Sequence, residues 1–170
     1  MVKRISHEAT NCPVARSLDA IGDWWSLLIV RDAFRGKRRF GEFQKSTGVA
    51  KNILTTRLRS LVEFGILEMV PASDGSAYQE YTLTEKGLDL FPVVAALWQW
   101  GEKHFFDDNE AHPSLGDRAT QAPIRKVEVL SADGRKLRPA DTILLPPSGL
   151  TRLEALSDQE TTQKTLKVQI

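Results

Sequence analysis

Cysteine is nearly missing from this chain: Cys12 is the single thiol in 170 residues. One thiol cannot close an internal disulfide or build a thiolate zinc site. A long apolar run is also lacking, as is a basic, apolar, small-residue leader at the start, so no membrane span is expected and the reading is a cytoplasmic protein. Histidine is sparse; His7, His104 and His112 lie far apart without metal-ligand spacing. No serine, histidine and carboxylate motif and no phosphate-cradling glycine loop can be found. These absences predict neither an enzyme nor a bound cofactor or metal. A large charge of either sign is lacking too, the formal net charge being +1. Attraction to a polyanion must therefore come from local clustering, not from bulk charge.

Clustering of that kind is present. Between Arg31 and Ser60 nine basic residues face two acids, a local excess of seven. The stretch GVAKNILTTRLRSLVEFGILEMV, from Gly48 to Val70, sits at its end and carries apolar residues at helical spacing. Leu54, Leu58, Leu61 and Val62 form one stripe, which sends Lys51, Asn52, Thr55, Thr56 and Arg59 to the other side of the helix. Arg57 stands beside the stripe, and a phosphate or an intramolecular carboxylate would serve it equally well. Arg38 and Arg39 precede the shorter helical stretch RRFGEFQKST, where they suit phosphates better than base edges. Solvent is their plainer alternative. A short helix, a turn at Gly48 and a second amphipathic helix make a helix-turn-helix, whose second helix enters the major groove of double-stranded DNA.

The surrounding pattern completes a fold class. Pro13 suits the first turn of a helix with Val14, Leu18 and Ile21 on one buried face, stopped at Gly22. Asp23 can cap the next helix, WWSLLIVRDAF, with Trp25, Leu28 and Ile29 as its apolar stripe and Gly36 at its end. ILEMV and YQEYTL read as strands joined by the turn cluster PASDGSA. Thr84 then caps TEKGLDLF, and a terminal helix starts at Pro92. The expected fold is mainly α with a β-hairpin wing, an α+β winged helix-turn-helix.

Large aromatics at Trp98, Trp100, Phe105 and Phe106 exceed what a small three-helix core can hide. A homodimer is expected through the terminal helix, with Val94, Leu97, Trp98, Gly101 and Phe105 at the interface. Trp24, Trp25, Trp98 and Trp100 could alternatively line a pocket for a small-molecule effector, although core and interface are the commoner places for such residues. Residues 1–106 are read as one DNA-binding and dimerisation domain, the acidic and turn-rich 107–122 as a linker, and 123–170 as a small C-terminal extension. In that extension Val127 and Val129 alternate before a turn at Asp133–Gly134, which predicts a β-hairpin. The segment beyond PPSG is read either as a short helix or strand on a partner subunit or as a mobile tail.

The motif order resembles the HxlR family of winged helix-turn-helix transcriptional regulators, fold relatives of the MarR group. The resemblance rests on CPVARSLDAIGDWWSLLIVRDAFRGKRRFGEF, ILTTRLRSLVEFGIL and YTLTEKG. It implies a homodimer with interlocking terminal helices, whose two recognition helices read a pseudo-palindromic operator through Lys51, Asn52, Thr55, Thr56 and Arg59. Two features depart from the family pattern. The wing tip offers only Ser73, Asp74, Gly75 and Ser76, where family wings often carry basic residues. The cysteine-bearing segment of some longer relatives has no counterpart here. The family also implies a role for Cys12, since several members sense oxidants through a cysteine in the CP element. A helix N-terminus can stabilise such a thiolate, and the alternative is a small capping or packing residue. A winged helix that docks proteins without touching DNA is the competing reading of the whole chain.

Overall fold

The computed structural model describes residues 6–145. Six α-helices and one antiparallel hairpin make up the larger unit, in the order α1 (Pro13–Ile21), α2 (Ser26–Phe34), α3 (Phe40–Thr47), α4 (Lys51–Glu63), β1 (Leu67–Pro71), β2 (Gln79–Leu83), α5 (Glu85–Leu88) and α6 (Phe91–Phe105). The core is supplied by α2, α3 and α4 with the wing root and one side of α6. Ile29, Val30, Phe43, Leu54, Leu58, Leu61, Leu67 and Val94 meet there. Each fully buried side chain of this size contributes about 1.5–3 kcal/mol.

Local chemistry sets the breaks between elements. Asp23 accepts hydrogen bonds from the backbone N–H groups of Trp25 (2.9 Å) and Ser26 (3.0 Å), so α2 starts at Ser26 and the two tryptophans stay in the turn before it. Glu42 reaches back to the N–H groups of Arg38 and Arg39, both at 2.8 Å, and so closes the start of α3. These bonds hold its carboxyl below the usual carboxylate range, the Arg38 N–H contributing most. Gly48, at φ 68°, turns the chain from α3 into α4 in a conformation that side chains other than glycine rarely adopt. In the wing, Leu67 pairs with Leu83 and Pro71 with Gln79. Thr84 caps α5 by accepting from the Gly87 N–H, as its position suggested.

Three expectations are corrected. The apolar face of α1 is not core: Val14 is 68% exposed and Leu18 is also exposed, while only Ala20 and Ile21 at the far end touch the core. The buried face of α2 is Ser26, Ile29, Val30 and Asp32, with Trp25 and Leu28 only half-buried. Val94 points inward into the core, so it takes no part in the exposed face of α6.

Residues 107–127 belong to this first unit; a second begins at Glu128. Within 107–122 the Pro113 carbonyl accepts from Trp98 Nε1 on α6 (3.2 Å), and just after that stretch Gln99 of α6 bonds the backbone of Arg125 and Val127. In the second unit the Ser131 N–H donates to the Arg135 carbonyl, the Leu137 N–H to that of Val129, and Leu130 bridges Lys136 around Gly134. The predicted hairpin is therefore a tight turn with one antiparallel bridge, followed by a 3₁₀ turn at Pro139–Asp141. The segment after PPSG lies outside the described residues.

Candidate nucleic-acid interface

α4 presents two unlike sides. Leu54, Leu58 and Leu61 are fully buried, whereas Lys51, Asn52, Thr55, Thr56 and Arg59 are exposed. Thr55 and Thr56 donate their hydroxyls to the carbonyls of Lys51 (2.8 Å) and Asn52 (2.9 Å), one turn back. Their oxygens keep acceptor capacity toward solvent. Among the described residues, the side chains of Lys51, Asn52 and Arg59 have no hydrogen-bond or ion-pair partner. Two cations and a bifunctional amide are therefore presented on one face of α4, Lys51 and Asn52 in its first turn and Arg59 two turns further on, in a helix that a short helix and a glycine turn introduce.

The other sequence-selected cations are already engaged. Arg57 Nε lies 3.4 Å from Asp23 Oδ1, so of its two alternatives the intramolecular carboxylate is the one occupied. Arg39 bridges two elements, with Nη2 at 2.5 Å from Asp74 at the wing tip and Nε at 3.2 Å from Glu80 on β2. Arg38 Nη1 approaches Glu80 more loosely, at 3.8 Å. Its backbone carbonyl accepts from the Tyr81 N–H at 2.8 Å, which lays the start of α3 along β2. Glu80 is buried, and Ser73 also donates to it. The hydrogen bond from Arg39, helped by the Ser76 backbone N–H, holds the Asp74 carboxyl well below the usual carboxylate range.

Two features were not read from sequence. Asp32 is fully buried; its Oδ1 pairs with Arg31 (2.9 Å) and Lys37 (3.7 Å) and so anchors the α2–α3 turn. The only hint was an acid inside a basic run. The pairing of Arg39 with Asp74 spans 35 residues and left no local signal.

Away from the donor face, α6 and α1 expose apolar side chains in the single chain. Leu97, Trp100 and Phe105 on α6, and Val14 and Leu18 on α1, are all exposed; Trp98 and Gly101 are half-buried. A cavity of about 450 Å³ lies between α2 and α6, lined by Leu28, Val94, Trp98 and Phe106 with Arg31 and Glu102 at its wall. Of the four tryptophans only Trp98 lines it, its ring nitrogen also donating to Glu102 at 3.0 Å. Cys12 is exposed at the N-cap of α1. Among the described residues no His, Cys, Asp and Glu group could hold a metal ion, and no helix is long and apolar enough to cross a membrane.

Comparison with known proteins places these observations in a family. Residues 20–109 match the HxlR-like helix-turn-helix family. An HTH-type transcriptional regulator of Mycobacterium tuberculosis is 43% identical over 103 residues, a match that covers 61% of this chain and 65% of the relative. The chain thus matches a little under two thirds of that relative's length. The HTH-type regulator YdeP of Bacillus subtilis is 35% identical, over 58% of this chain and 78% of its own. Among solved structures, PA1607, described as a candidate transcription factor, superposes with a TM-score of 0.80 at 53% identity, covering 84% of this chain and all of its own. The oxidised redox regulator HypR superposes with a TM-score of 0.52 at 34% identity, over 56% of this chain and all of its own. The relatives are regulators of transcription, not enzymes, and this chain, with its helix-turn-helix and hairpin wing, belongs to the HxlR-like helix-turn-helix family.

Proposed function

We propose that this protein is a sequence-specific DNA-binding transcriptional regulator that acts as a cytoplasmic homodimer on a pseudo-palindromic operator. The observation that carries the reading is the outward row on α4: Lys51, Asn52 and Arg59 stand exposed and, among the described residues, unpaired on the face that a helix-turn-helix turns to the groove. Asn52 can pair with adenine through both amide atoms and Arg59 with guanine, while Lys51 serves a phosphate. The hydroxyls of Thr55 and Thr56 are placed to complete the contact. The exposed apolar faces of α1 and α6 suit a second copy of the chain, since side chains such as Leu97 and Phe105 gain about 25 cal/mol for each Å² they remove from water.

Footprinting of the purified protein on genomic DNA, followed by a salt titration on the protected duplex, tests this. Affinity should fall by orders of magnitude between low and moderate salt, as released counterions require. Failure to retain any duplex at low salt would instead leave the protein-docking winged helix.

An oxidant-responsive role is a second reading, favoured by the exposed Cys12 thiol at the start of α1 and by likeness to a redox regulator. With one thiol per chain, the products open to it are a sulfenic acid, a mixed disulfide or a bridge to Cys12 of a second copy. Diamide should then release the operator from the parent but not from Cys12→Ser, and equal release from both would reject the reading.

A further inference from the structure

The wing of this protein carries an acid at the place where a phosphate-seeking residue would be useful, and that acid holds a cation. Arg39 immediately precedes α3, the first helix of the helix-turn-helix, whose N-terminus lies toward the DNA backbone in such motifs. Its guanidinium is divided between two carboxylates. Glu80, buried on β2, takes the Nε edge at 3.2 Å and fixes the plane of the group. Asp74, exposed at the tip, takes the outward Nη2 at 2.5 Å. That outward edge is the one a phosphate would use, because an arginine fork binds carboxylate and phosphate with the same geometry.

We propose that Asp74 competes with DNA phosphates for Arg39, so that the wing tip sets a ceiling on sequence-independent affinity and leaves discrimination to the α4 row. The inference rests on the DNA-binding reading above. When the tip stays paired, Arg39 contributes no net charge to the duplex and Asp74 itself faces the phosphates. When Asp74 is replaced by its neutral isostere, Glu80 still orients Arg39, and the freed edge meets a phosphate. Asp74 is a specificity-setting residue in this scheme, acting through Arg39.

The test uses the full-length protein and a random-sequence duplex of about 30 base pairs, across a monovalent salt series. Asp74→Asn should bind about eightfold more tightly at 0.1 M salt for each wing that touches the duplex, with the log–log salt slope steeper by about 0.9 per wing. Arg39→Gln combined with Asp74→Asn should show no gain over Arg39→Gln alone. Glu63→Gln, which removes one exposed acid at the far end of α4, controls for bulk charge and should change binding less than twofold. An Asp74→Asn protein that binds no more tightly than the parent overturns the proposal. So does a gain that survives loss of Arg39, or one that Glu63→Gln reproduces. A parent that retains no duplex at low salt defeats the DNA-binding reading itself, a result distinct from a parent that binds and a variant that does not differ.

Discussion

Two surfaces stand exposed among the described residues, and they differ in what water does for them. The exposed row on α4 is polar: Lys51, Asn52 and Arg59 are well solvated and pay nothing for standing alone. The faces of α6 and α1 are apolar, with Leu97, Trp100, Phe105 and Val14 held in water at a standing cost. The first surface can wait for a transient partner, and its attraction weakens with salt. The second favours a lasting partner and hardly responds to salt. The difference assigns the two proposed partners: DNA to one, a second copy to the other.

The strongest way to break this comparison is to place a charge on the apolar side. Leu97→Glu should prevent the proposed dimer from forming, since an unpaired carboxylate would be desolvated there at a cost of several kcal/mol. Sedimentation at low micromolar concentration decides it, and operator binding should fall in parallel. Leu97 is the better position than Trp98, whose ring is tied to Glu102 and the Pro113 carbonyl within the chain.

On the polar side, Asn52→Ala and Arg59→Ala should each cost about 1–3 kcal/mol of operator affinity. Thermal unfolding should stay within about 0.5 kcal/mol of the parent, as for other exposed changes. Leu58→Ala, next to Arg59 in sequence but on the buried stripe, should do the reverse, losing about 2–5 kcal/mol of stability by opening a cavity. Titration of duplex in gel or fluorescence assays, set beside unfolding curves, separates the two responses.

A cation already paired within the chain sharpens the contrast. Arg57→Ala should leave the salt slope of DNA binding unchanged and lower stability by about 1 kcal/mol or less, because its partner is Asp23. A slope shallower by about 0.9 would return Arg57 to the DNA face.

The smallest effect concerns pH. Glu42 has its carboxyl lowered by the Arg38 and Arg39 N–H groups, so its charged form is favoured by folding. That contribution is present above the unfolded carboxylate range, about 4.3, and is lost as pH falls through the lower folded value. Glu42→Gln should therefore unfold slightly earlier than the parent at pH 7, with the difference fading as pH falls below the ordinary carboxylate range. A constant difference at every pH would mean that the bond geometry, not the charge, stabilises the start of α3.

Much of the fold was legible because its signals are local. Gly48 between two amphipathic stretches, the PASDGSA turn and Thr84 before TEKG each act within a few residues of where they stand. The stripe of α4 was legible for the same reason, its period requiring only one helix. What escaped depends on residues distant in sequence. Nothing near Arg39 announces Asp74 or Glu80, 35 and 41 residues away. Periodicity marked α1 as amphipathic and could not say whether its apolar face meets this chain or another. Asp32 looked like one acid in a basic run, and only packing turned it into the buried anchor of the turn after α2.

The wing root leads into α5 through a corner with no slack. A methyl group added at Gly87 would meet the Ile66 carbonyl oxygen at 2.2 Å, so this position excludes every side chain. Lys86 beside it donates to the Phe64 carbonyl at 2.7 Å, and Thr84 to that of Gly65 at 2.6 Å. The turn between α4 and β1 is thereby riveted to α5 and its cap at three successive carbonyls, the third being that of Ile66, which accepts from the Thr84 N–H at 3.1 Å. Mechanically, the corner is one stiff joint between the end of α4 and α5: under the proposed reading, a tilt imposed by a second copy of the chain would be carried through it without being absorbed, and would set the spacing of the two α4 helices.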